Sequence, residues 1–229
     1  MNMLHQFVFG IYPYIALSIF ILGSLVRFER EQYSWKSESS QLLHRGQLRL
    51  GNILFHVGII GLFFGHMVGL LTPVAVWDAI GISHGTKQIF AMAAGGVMGL
   101  ICLAGLIILI IRRFGNDRLA NNSTWRDKIV LIWILITLLL GLSTILVSAQ
   151  HTDGHEMVLL MTWAQHIVTF RGDAASYIVD ASVIFKLHLF MGMSLFLIFP
   201  FTRLVHAWSG FGSVTYLTRS PQLVRKRRQ

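Results

Sequence analysis

Long stretches without a charged side chain alternate along this chain with short charged segments. Four of these stretches contain no Asp, Glu, Lys or Arg: Met1–Val26, Leu50–Trp77, Gln88–Ile111 and Ile129–Gln150. Each one is as long as the roughly 20 apolar residues that a helix needs to cross a bilayer. The pattern therefore predicts four membrane-spanning helices.

A fifth span is predicted from Tyr177 to Trp208. Three charged residues interrupt it near its ends, but its centre, residues 187–202, is apolar. Pro200 is placed to kink this helix, because proline cannot donate the backbone hydrogen bond that a helix interior requires. Since no repeat or linker divides the chain, we expect residues 1–229 to form one domain. The fold class is an all-α integral membrane protein of five transmembrane helices.

Positive charges are distributed unevenly between the two sides that these helices define. If the spans alternate, one side receives residues 27–49, 112–128 and 203–229, which carry sixteen Lys and Arg residues, and the other side receives three. Membrane proteins keep their Lys- and Arg-rich loops in the cytoplasm. The N-terminus is therefore predicted to be periplasmic. The tail, about residues 209–229, is predicted to be cytoplasmic, where it would contact anionic membrane lipid or a partner.

The segment between the fourth and fifth spans contains a shorter amphipathic pattern. Its apolar residues recur at helical spacing opposite polar positions, which predicts a helix lying in the membrane interface. The apolar positions are Met157, Leu160, Met161, Ala164, Ile167 and Val168.

Composition agrees with a membrane protein and excludes several other classes. The chain is 54% hydrophobic and 13% charged, whereas about 25% charge is usual in soluble domains. A single cysteine, Cys102, excludes internal disulfides, iron–sulfur ligation by this chain and haem attachment through a C-x-x-C-H motif. The net charge of +9 is explained by the sidedness of the loops, so we expect no nucleic-acid partner.

Four of the ten histidines fall within or at the ends of the predicted spans: His56, His66, His188 and His206. Ionisable groups in a bilayer are costly and are candidates for a function. Structural hydrogen bonding would explain one such histidine as well as a function would. Four of them, shared equally between two helices, favour a function.

Antiparallel packing of the second and fifth helices would form two pairs from these residues. His56 and His206 would lie near the cytoplasmic face, and His66 and His188 near the outer face. Two imidazoles that face each other across a gap can hold a haem iron from both axial sides. This ligation leaves no position for oxygen or substrate, so the sequence predicts a dihaem bundle that transfers electrons.

The spacing of these histidines differs between the two helices. His56 and His66 would be roughly 15 Å apart, and His188 and His206 roughly 27 Å apart, at about 1.5 Å per residue. His188 and His206 lie on the same face of the fifth helix, whereas His56 and His66 are separated by about 80° around the second helix. We therefore expect inclined haems or a bent fifth helix.

Glycines on two helices form a second pattern, in which small residues recur and allow close packing against another helix. They are Gly61, Gly65 and Gly69 on the second helix, and Gly95, Gly99 and Gly105 on the third.

Other uses of the histidines remain open. His151, at the end of the fourth helix, is an alternative outer ligand, although its neighbour Asp153 favours a surface role. A zinc or copper transporter would bring carboxylates or thiols into the spans, where this chain has almost none. A haem-free membrane anchor is the third alternative.

Longer motifs surround the four histidines. His56 and His66 lie in FHVGIIGLFFGHMVGLLTP, and His188 and His206 lie in FKLHLFMGMSLFLIFPFTRLVHAW. Further motifs are IYPYIA near the start, SAQHTDG after the fourth helix and YLTR near the end. With them, the sequence resembles the gamma subunit, the cytochrome b component, of membrane-bound respiratory nitrate reductases. The similarity extends along almost the whole chain.

The resemblance implies roles for particular residues. Two haem b groups would bind without covalent attachment, the inner one through His56 and His206 and the outer one through His66 and His188. Quinol would be oxidised beside the outer haem, at a site that includes Lys87, His66 and Gly65. A snorkelling interfacial charge is the alternative interpretation of Lys87.

The resemblance also implies a location and partners. The chain would lie in the bacterial cytoplasmic (inner) membrane and pass electrons to an iron–sulfur beta subunit on the cytoplasmic face. Nitrate would be reduced on a molybdenum-containing alpha subunit. A related cytochrome b of sulfur or heterodisulfide metabolism is the alternative, but the agreement outside the haem helices favours nitrate reductase. Lys186, Arg112 and Arg113 are placed by predicted depth to neutralise haem propionates.

Overall fold

The computed structural model describes residues 2–31, 45–115 and 124–208, and all regular structure within these ranges is helical. The predicted cytoplasmic tail and the YLTR motif lie outside the described residues. In chain order, the helices are α1 Met3–Arg30, α2 Arg45–Leu71, α3 Val74–Ala79, α4 His84–Phe114, α5 Trp125–Ser148, α6 His155–Val168 and α7 Val183–Ile198.

Five helical segments within the described residues are long and apolar enough to cross a membrane: α1, α2, α4, α5, and α7 together with the turn that extends it to Phe201. The five predicted spans are thus present within the described ranges. Two boundaries differ from prediction. α2 ends at Leu71 rather than at Trp77, because Pro73 follows and cannot continue its hydrogen bonding. α7 begins at Val183 rather than at Tyr177, and a 3-10 turn precedes it.

Polar side chains set the starts of two spanning helices. Before α4, Ser83 accepts a hydrogen bond through its hydroxyl from the backbone nitrogen of Thr86 at 3.2 Å. Before α5, Thr124 accepts one in the same way from the backbone nitrogen of Asp127 at 3.3 Å. Each bond satisfies one of the amide groups that the first turn of a helix leaves without a partner.

Contacts between helix ends define the two ends of the bundle. Lys87, near the start of α4, donates to the carbonyl oxygen of Gly69, near the end of α2, at 3.0 Å; we call this the Lys87 end. Asp127, in the first turn of α5, lies 3.5 Å from Arg113 in the last turn of α4; we call this the Asp127 end. α2 and α4 therefore run antiparallel, and so do α4 and α5.

α2 and α4 make the closest helix contact because glycines meet backbone atoms where the two cross. A Cβ atom added to Gly58 would lie 2.5 Å from the backbone nitrogen of Cys102. A Cβ atom added to Gly105 would overlap the backbone nitrogen of Phe55. Any side chain at Gly58 or Gly105 would therefore push the helices apart.

Three of the six glycines predicted to pack closely against another helix do so. Three contact a side chain or backbone of a neighbouring helix: Gly61, Gly99 and Gly105. For the other three, an added Cβ atom would have no described atom within 4 Å, so the prediction of close packing is wrong for Gly65, Gly69 and Gly95.

The predicted amphipathic helix corresponds to α6, but its apolar face packs on the protein. Met161, Ala164 and Ile167 are buried, and the Trp163 indole donates to the carbonyl oxygen of Phe9 at 2.9 Å. The predicted helix is therefore present, and its place in the membrane interface stays a prediction. α6 covers the core at the Lys87 end.

A short loop connects α6 to α7. His166 donates through Nδ1 to the carboxylate of Asp173 at 2.8 Å. This hydrogen bond holds the pKa of Asp173 below its ordinary value. The pair precedes the 3-10 turn Ala174–Ile178, whose residues Ala175 and Ile178 are fully buried.

The fifth span is interrupted after α7. Two 3-10 turns, Phe199–Phe201 and Arg203–Val205, follow Ile198. Between them Thr202 is extended, with φ −124° and ψ 178°. The expectation of a fifth helix continuous to Trp208 is wrong, because the proline region breaks the helix rather than bending it.

Candidate functional site

The structure brings the four predicted histidines together as two pairs. At the Asp127 end, the ring centroids of His56 and His206 are 6.0 Å apart and the rings are inclined by 70°. Toward the Lys87 end, the centroids of His66 and His188 are also 6.0 Å apart, with the rings inclined by 43°. Each pair takes one residue from α2 and one from the fifth span or its continuation.

All four imidazoles are oriented by the same kind of hydrogen bond. Because a carbonyl oxygen can only accept, Nδ1 carries the proton in each ring and Nε2 keeps its lone pair. Such a bond fixes the tautomer and orientation of a metal-binding histidine. Nδ1 donates from His56 to Asn52 at 2.8 Å, from His66 to Leu62 at 2.7 Å, from His188 to Thr137 at 3.0 Å and from His206 to Arg203 at 2.6 Å.

The separation within each pair suits one metal ion held from opposite sides. Two histidine–metal bonds of about 2.0 Å place the bonded nitrogens about 4 Å apart and the ring centroids about 6 Å apart. A haem iron needs only these two protein ligands, since the porphyrin supplies the other four. The donor set therefore fits a b-type haem at each pair.

Glycines make room around the His66–His188 pair. A Cβ atom added to Gly141 on α5 would lie 2.9 Å from Cε1 of His188, so the ring occupies space that a larger residue would fill. Gly65 precedes His66, and Gly192 lies one turn after His188. Neither has any described atom within 4 Å of an added Cβ atom. A planar macrocycle between the two rings requires open space of this kind.

The transporter alternative finds no support in the part of the chain that the structure describes. Within those residues, no group of three or more His, Cys, Asp or Glu side chains converges to hold a metal ion. A zinc or copper site usually needs three or four protein ligands. The histidine pairs therefore fit haem better than they fit a bare metal ion.

The side chain of Lys87 is buried at the Lys87 end of the bundle. Its ammonium group donates to the carbonyl oxygen of Gly69 at 3.0 Å and to the sulfur of Met161 at 2.7 Å. It also lies 4.4 Å from the centre of the Trp77 ring. With a relative exposure of 6%, Lys87 does not snorkel to the surface, so that interpretation is wrong. Gly69 lies one turn beyond His66, which places Lys87 near the second pair.

A buried carboxylate organises the Asp127 end. Asp127 lies 3.5 Å from both Arg113 and Arg203. The carbonyl oxygen of Arg203 in turn accepts the hydrogen bond from Nδ1 of His206. Arg203 thus links Asp127 to the imidazole of His206.

The three cations predicted to neutralise propionates are placed differently from one another. Arg112 is buried, Arg113 is paired with Asp127, and Lys186 donates to the carbonyl oxygen of Val179 at 2.5 Å. Their role toward propionates stays a prediction.

The alternative ligand His151 does not join a pair in the structure. It lies in an exposed turn beyond α5, and its backbone carbonyl oxygen accepts a hydrogen bond from Gln88 at 2.8 Å. The arrangement agrees with the surface role that Asp153 suggested.

Sequence reasoning missed several residues that shape the site. Arg27, Asp127 and Gly141 contact the backbone or side chains at the two pairs, and Gln88 joins the ends of α4 and α5. The charges of the half-buried Arg27 and the buried Asp127 could have been noticed at the ends of spans. Their partners are distant in the chain, and no local pattern predicts such contacts.

Comparisons with known proteins identify the family of this chain. Residues 5–227 match the family described as nitrate reductase gamma subunit. The chain is 47% identical to the respiratory nitrate reductase 1 gamma chain of Escherichia coli (strain K12), covering 99% of this chain and 100% of that one. It is 36% identical to the nitrate reductase gamma chain of Bacillus subtilis (strain 168), covering 97% and 98%. The chain therefore belongs to the nitrate reductase gamma subunit family.

Proposed function

We propose that this chain is the dihaem cytochrome b subunit of a respiratory nitrate reductase, which oxidises quinol and passes the electrons to a cytoplasmic partner. The observation that carries the proposal is the pair of matched histidine sites. Both have a ring separation of 6.0 Å, and in both every Nδ1 is bonded to a backbone carbonyl.

The histidines would hold the two haems without taking part in bond chemistry. His56 and His206 would hold one haem, and His66 and His188 would hold the other. Bound there, the two b haems would supply one-electron transfer between the ends of the bundle. The Nδ1 hydrogen bonds leave the lone pair of each Nε2 free to bind a metal and would make the imidazole a stronger ligand.

Lys87, His66 and Gly65 would form the quinol site at the Lys87 end. Quinol loses two electrons and two protons when it is oxidised. The buried ammonium group of Lys87 would donate to a quinol oxygen and stabilise negative charge as the proton leaves. The open space beside Gly65 would let the quinol ring approach His66 closely.

The charge pattern gives this arrangement a direction. The Lys87 end would face the periplasm and the Asp127 end the cytoplasm, by the bias of Lys and Arg toward the latter. Protons from quinol would then be released outside while electrons move inward. This separation of charge would contribute to the protonmotive force without a proton channel.

The proposed partners bind at the Asp127 end. The relatives are named as gamma chains of nitrate reductases, and a gamma chain implies other subunits. We propose an iron–sulfur beta subunit, which would accept the electrons, and a molybdenum-containing alpha subunit, which would reduce nitrate. The complex would lie in the bacterial cytoplasmic (inner) membrane.

The proposal is tested by counting haems in purified protein. We expect two b haems per chain in the pyridine haemochrome assay, and a quinol-reducible spectrum in the wild type. His56→Ala and His66→Ala should each remove or perturb a different haem. The matched control is His84→Ala, since His84 is bonded to the exposed Asp78 at 3.1 Å and lies outside both pairs. The proposal would be contradicted if the protein contained no haem, or contained one haem that neither His56→Ala nor His66→Ala changed.

A further inference from the structure

The hydrogen bond that orients His188 differs from those of the other three histidines in the two pairs. His56 and His66 each donate through Nδ1 to a carbonyl oxygen four residues earlier in the chain, and His206 to one three residues earlier. These bonds lie within one turn of the chain, so they do not depend on the contact between two helices. His188 on α7 instead donates to the carbonyl oxygen of Thr137 on α5 at 3.0 Å. The orientation of its ring therefore depends on how α5 is placed against α7.

A second hydrogen bond joins α5 and α7 beside this one, in the opposite direction. The indole nitrogen of Trp133 on α5 donates to the carbonyl oxygen of Met191 on α7 at 3.1 Å. Trp133 precedes Thr137 by four residues on α5. Met191 follows His188 by three residues on α7, so the two bonds are about one helical turn apart. We call these two contacts the α5–α7 bonds.

The carbonyl oxygen of Thr137 is accessible to His188 because the residue one turn later on α5 is a glycine. A carbonyl oxygen has two lone pairs, so it can accept a bond from outside its helix in addition to one within it. A Cβ atom added to Gly141 would lie 2.9 Å from Cε1 and 3.4 Å from Nδ1 of the imidazole. The hydroxyl group of Thr137 donates to the carbonyl oxygen of Trp133 at 2.8 Å, which links the two α5–α7 bonds on the α5 side.

The bond from Trp133 restrains how far α5 and α7 can slide along each other. Both helices belong to segments that are apolar enough to span a membrane, and Trp133 and Met191 are partly buried. Where water is absent, an indole N–H group without an acceptor is costly, so the carbonyl oxygen of Met191 is kept within reach. The same placement of α7 keeps the His188 ring beside Thr137, one turn away.

We propose that Trp133 is a positioning residue for the haem of the His66–His188 pair, and that it acts by holding the carbonyl oxygen of Thr137 against Nδ1 of His188. The proposal rests on the dihaem function proposed above and adds to it a residue that sets the potential of one haem.

The direction of the effect follows from the chemistry of the Nδ1 bond. An imidazole that donates through Nδ1 to a carbonyl oxygen is a stronger ligand through Nε2. A stronger ligand favours ferric over ferrous iron, which lowers the midpoint potential of the haem. Weakening the bond from His188 to Thr137 therefore raises the potential of the His66–His188 haem. The His56–His206 haem is unaffected, since both of its Nδ1 bonds lie within one turn of the chain.

A redox titration of the purified holoprotein, followed in the visible spectrum, tests the proposal. Trp133→Phe removes the N–H donor and keeps an aromatic ring. We expect both haems to be retained and only the midpoint potential of the His66–His188 haem to rise. Electron paramagnetic resonance provides a second readout, because the signal of a ferric haem with two histidine ligands depends on the angle between their rings. Only the signal of the same haem should shift, and the His56→Ala and His66→Ala proteins assign the two sets of signals.

Two further variants separate positioning from a general loss of stability. Trp133→Gln removes the ring but keeps an N–H donor, so its potential should lie closer to the wild-type value than that of Trp133→Phe. Trp163→Phe is the matched control, because the Trp163 indole also donates to a backbone carbonyl oxygen, that of Phe9 at 2.9 Å. This bond joins α6 to α1, which carry none of the four histidines, so neither potential should change.

Each outcome decides the proposal. Unchanged potentials and spectra in Trp133→Phe, with both haems bound, would overturn it and leave the dihaem function standing. Equal shifts of both haems, or the same shift in Trp163→Phe, would overturn it as well. If Trp133→Phe lost the His66–His188 haem, retention of that haem in Trp133→Gln would support the proposal, and its loss there would contradict it. A wild-type protein without haem would refute the proposed function, and this proposal with it.

Discussion

Arg27 on α1 is bonded to Pro200, beyond the end of α7, through a hydrogen bond of 2.6 Å from Nη1 to the carbonyl oxygen. The same nitrogen donates to the carbonyl oxygen of Thr202 at 2.8 Å. These carbonyls lie where the fifth span stops being helical, and within a membrane such groups must be satisfied inside the protein. Arg27 thus fixes the start of the short segment that carries His206.

Replacing Arg27 by Gln should affect one haem and spare the other. The shorter side chain cannot reach both carbonyl oxygens, so the segment that follows Pro200 would shift and move His206 away from His56. We expect the haem content to fall from two toward one per chain, with the His66–His188 haem retained. Absorbance and electron paramagnetic resonance spectra distinguish the two. Arg30→Gln, at the exposed end of the same helix, is the control, and an equal loss of both haems would contradict this account.

Asp127→Asn should change the redox potential of the same haem. The carboxylate balances the charges of Arg113 and Arg203 at 3.5 Å, and an amide does not. Uncompensated positive charge favours the reduced haem, so the midpoint potential of the His56–His206 haem should rise, by on the order of tens of millivolts. A redox titration followed in the visible spectrum measures both potentials. The exposed Asp153→Asn should change neither, and an unchanged potential in Asp127→Asn would rule out this electrostatic role.

Gly141→Val should remove the haem that His188 holds. A Cβ atom added at this position would lie 2.9 Å from Cε1 of the His188 imidazole. The valine methyl groups would therefore displace the ring from its hydrogen bond to Thr137. We expect the pyridine haemochrome assay to show loss of the His66–His188 haem, with the His56–His206 haem present. Ser143→Val on the same helix provides the comparison. Two intact haems in Gly141→Val would show that the ring does not need this space.

Gly105→Val should destabilise the whole bundle, because the added atoms would overlap the backbone of Phe55 where α2 and α4 cross. Overpacking of a well-packed core typically costs about 1–3 kcal/mol. Thermal unfolding in detergent should show a lower midpoint than in the wild type. Gly95→Val on the same helix has open space around it, so it should change the midpoint much less. Equal midpoints in the two variants would argue against a tight crossing at Gly105.

The four histidines were accessible to sequence reasoning because each is a polar residue in an apolar stretch. Their positions along two antiparallel helices were then enough to pair His56 with His206 and His66 with His188. The partners of their Nδ1 atoms were not accessible in the same way. Thr137 lies on another helix from His188, and Arg203 accepts from His206 only because the chain forms a 3-10 turn there.

The glycines show where the pattern misled. Small residues at every fourth position predicted close packing for Gly61, Gly65 and Gly69. The glycines of α2 that lie against α4 are instead Gly51, Gly58 and Gly61. A repeat marks one face of a helix, but it does not say how far along that face the neighbouring helix stays in contact. That length depends on the crossing angle of the two helices.

The sequence by itself determined the number of spans, the family and the pairing order of the histidines. These properties depend on the apolar length that a bilayer requires and on depth along a helix, both of which are read locally. Tertiary structure decided the break after α7, the burial of the apolar face of α6 and the space at Gly141. Each of these depends on contacts between residues far apart in the chain, such as Arg27 with Pro200, and no local pattern records such contacts.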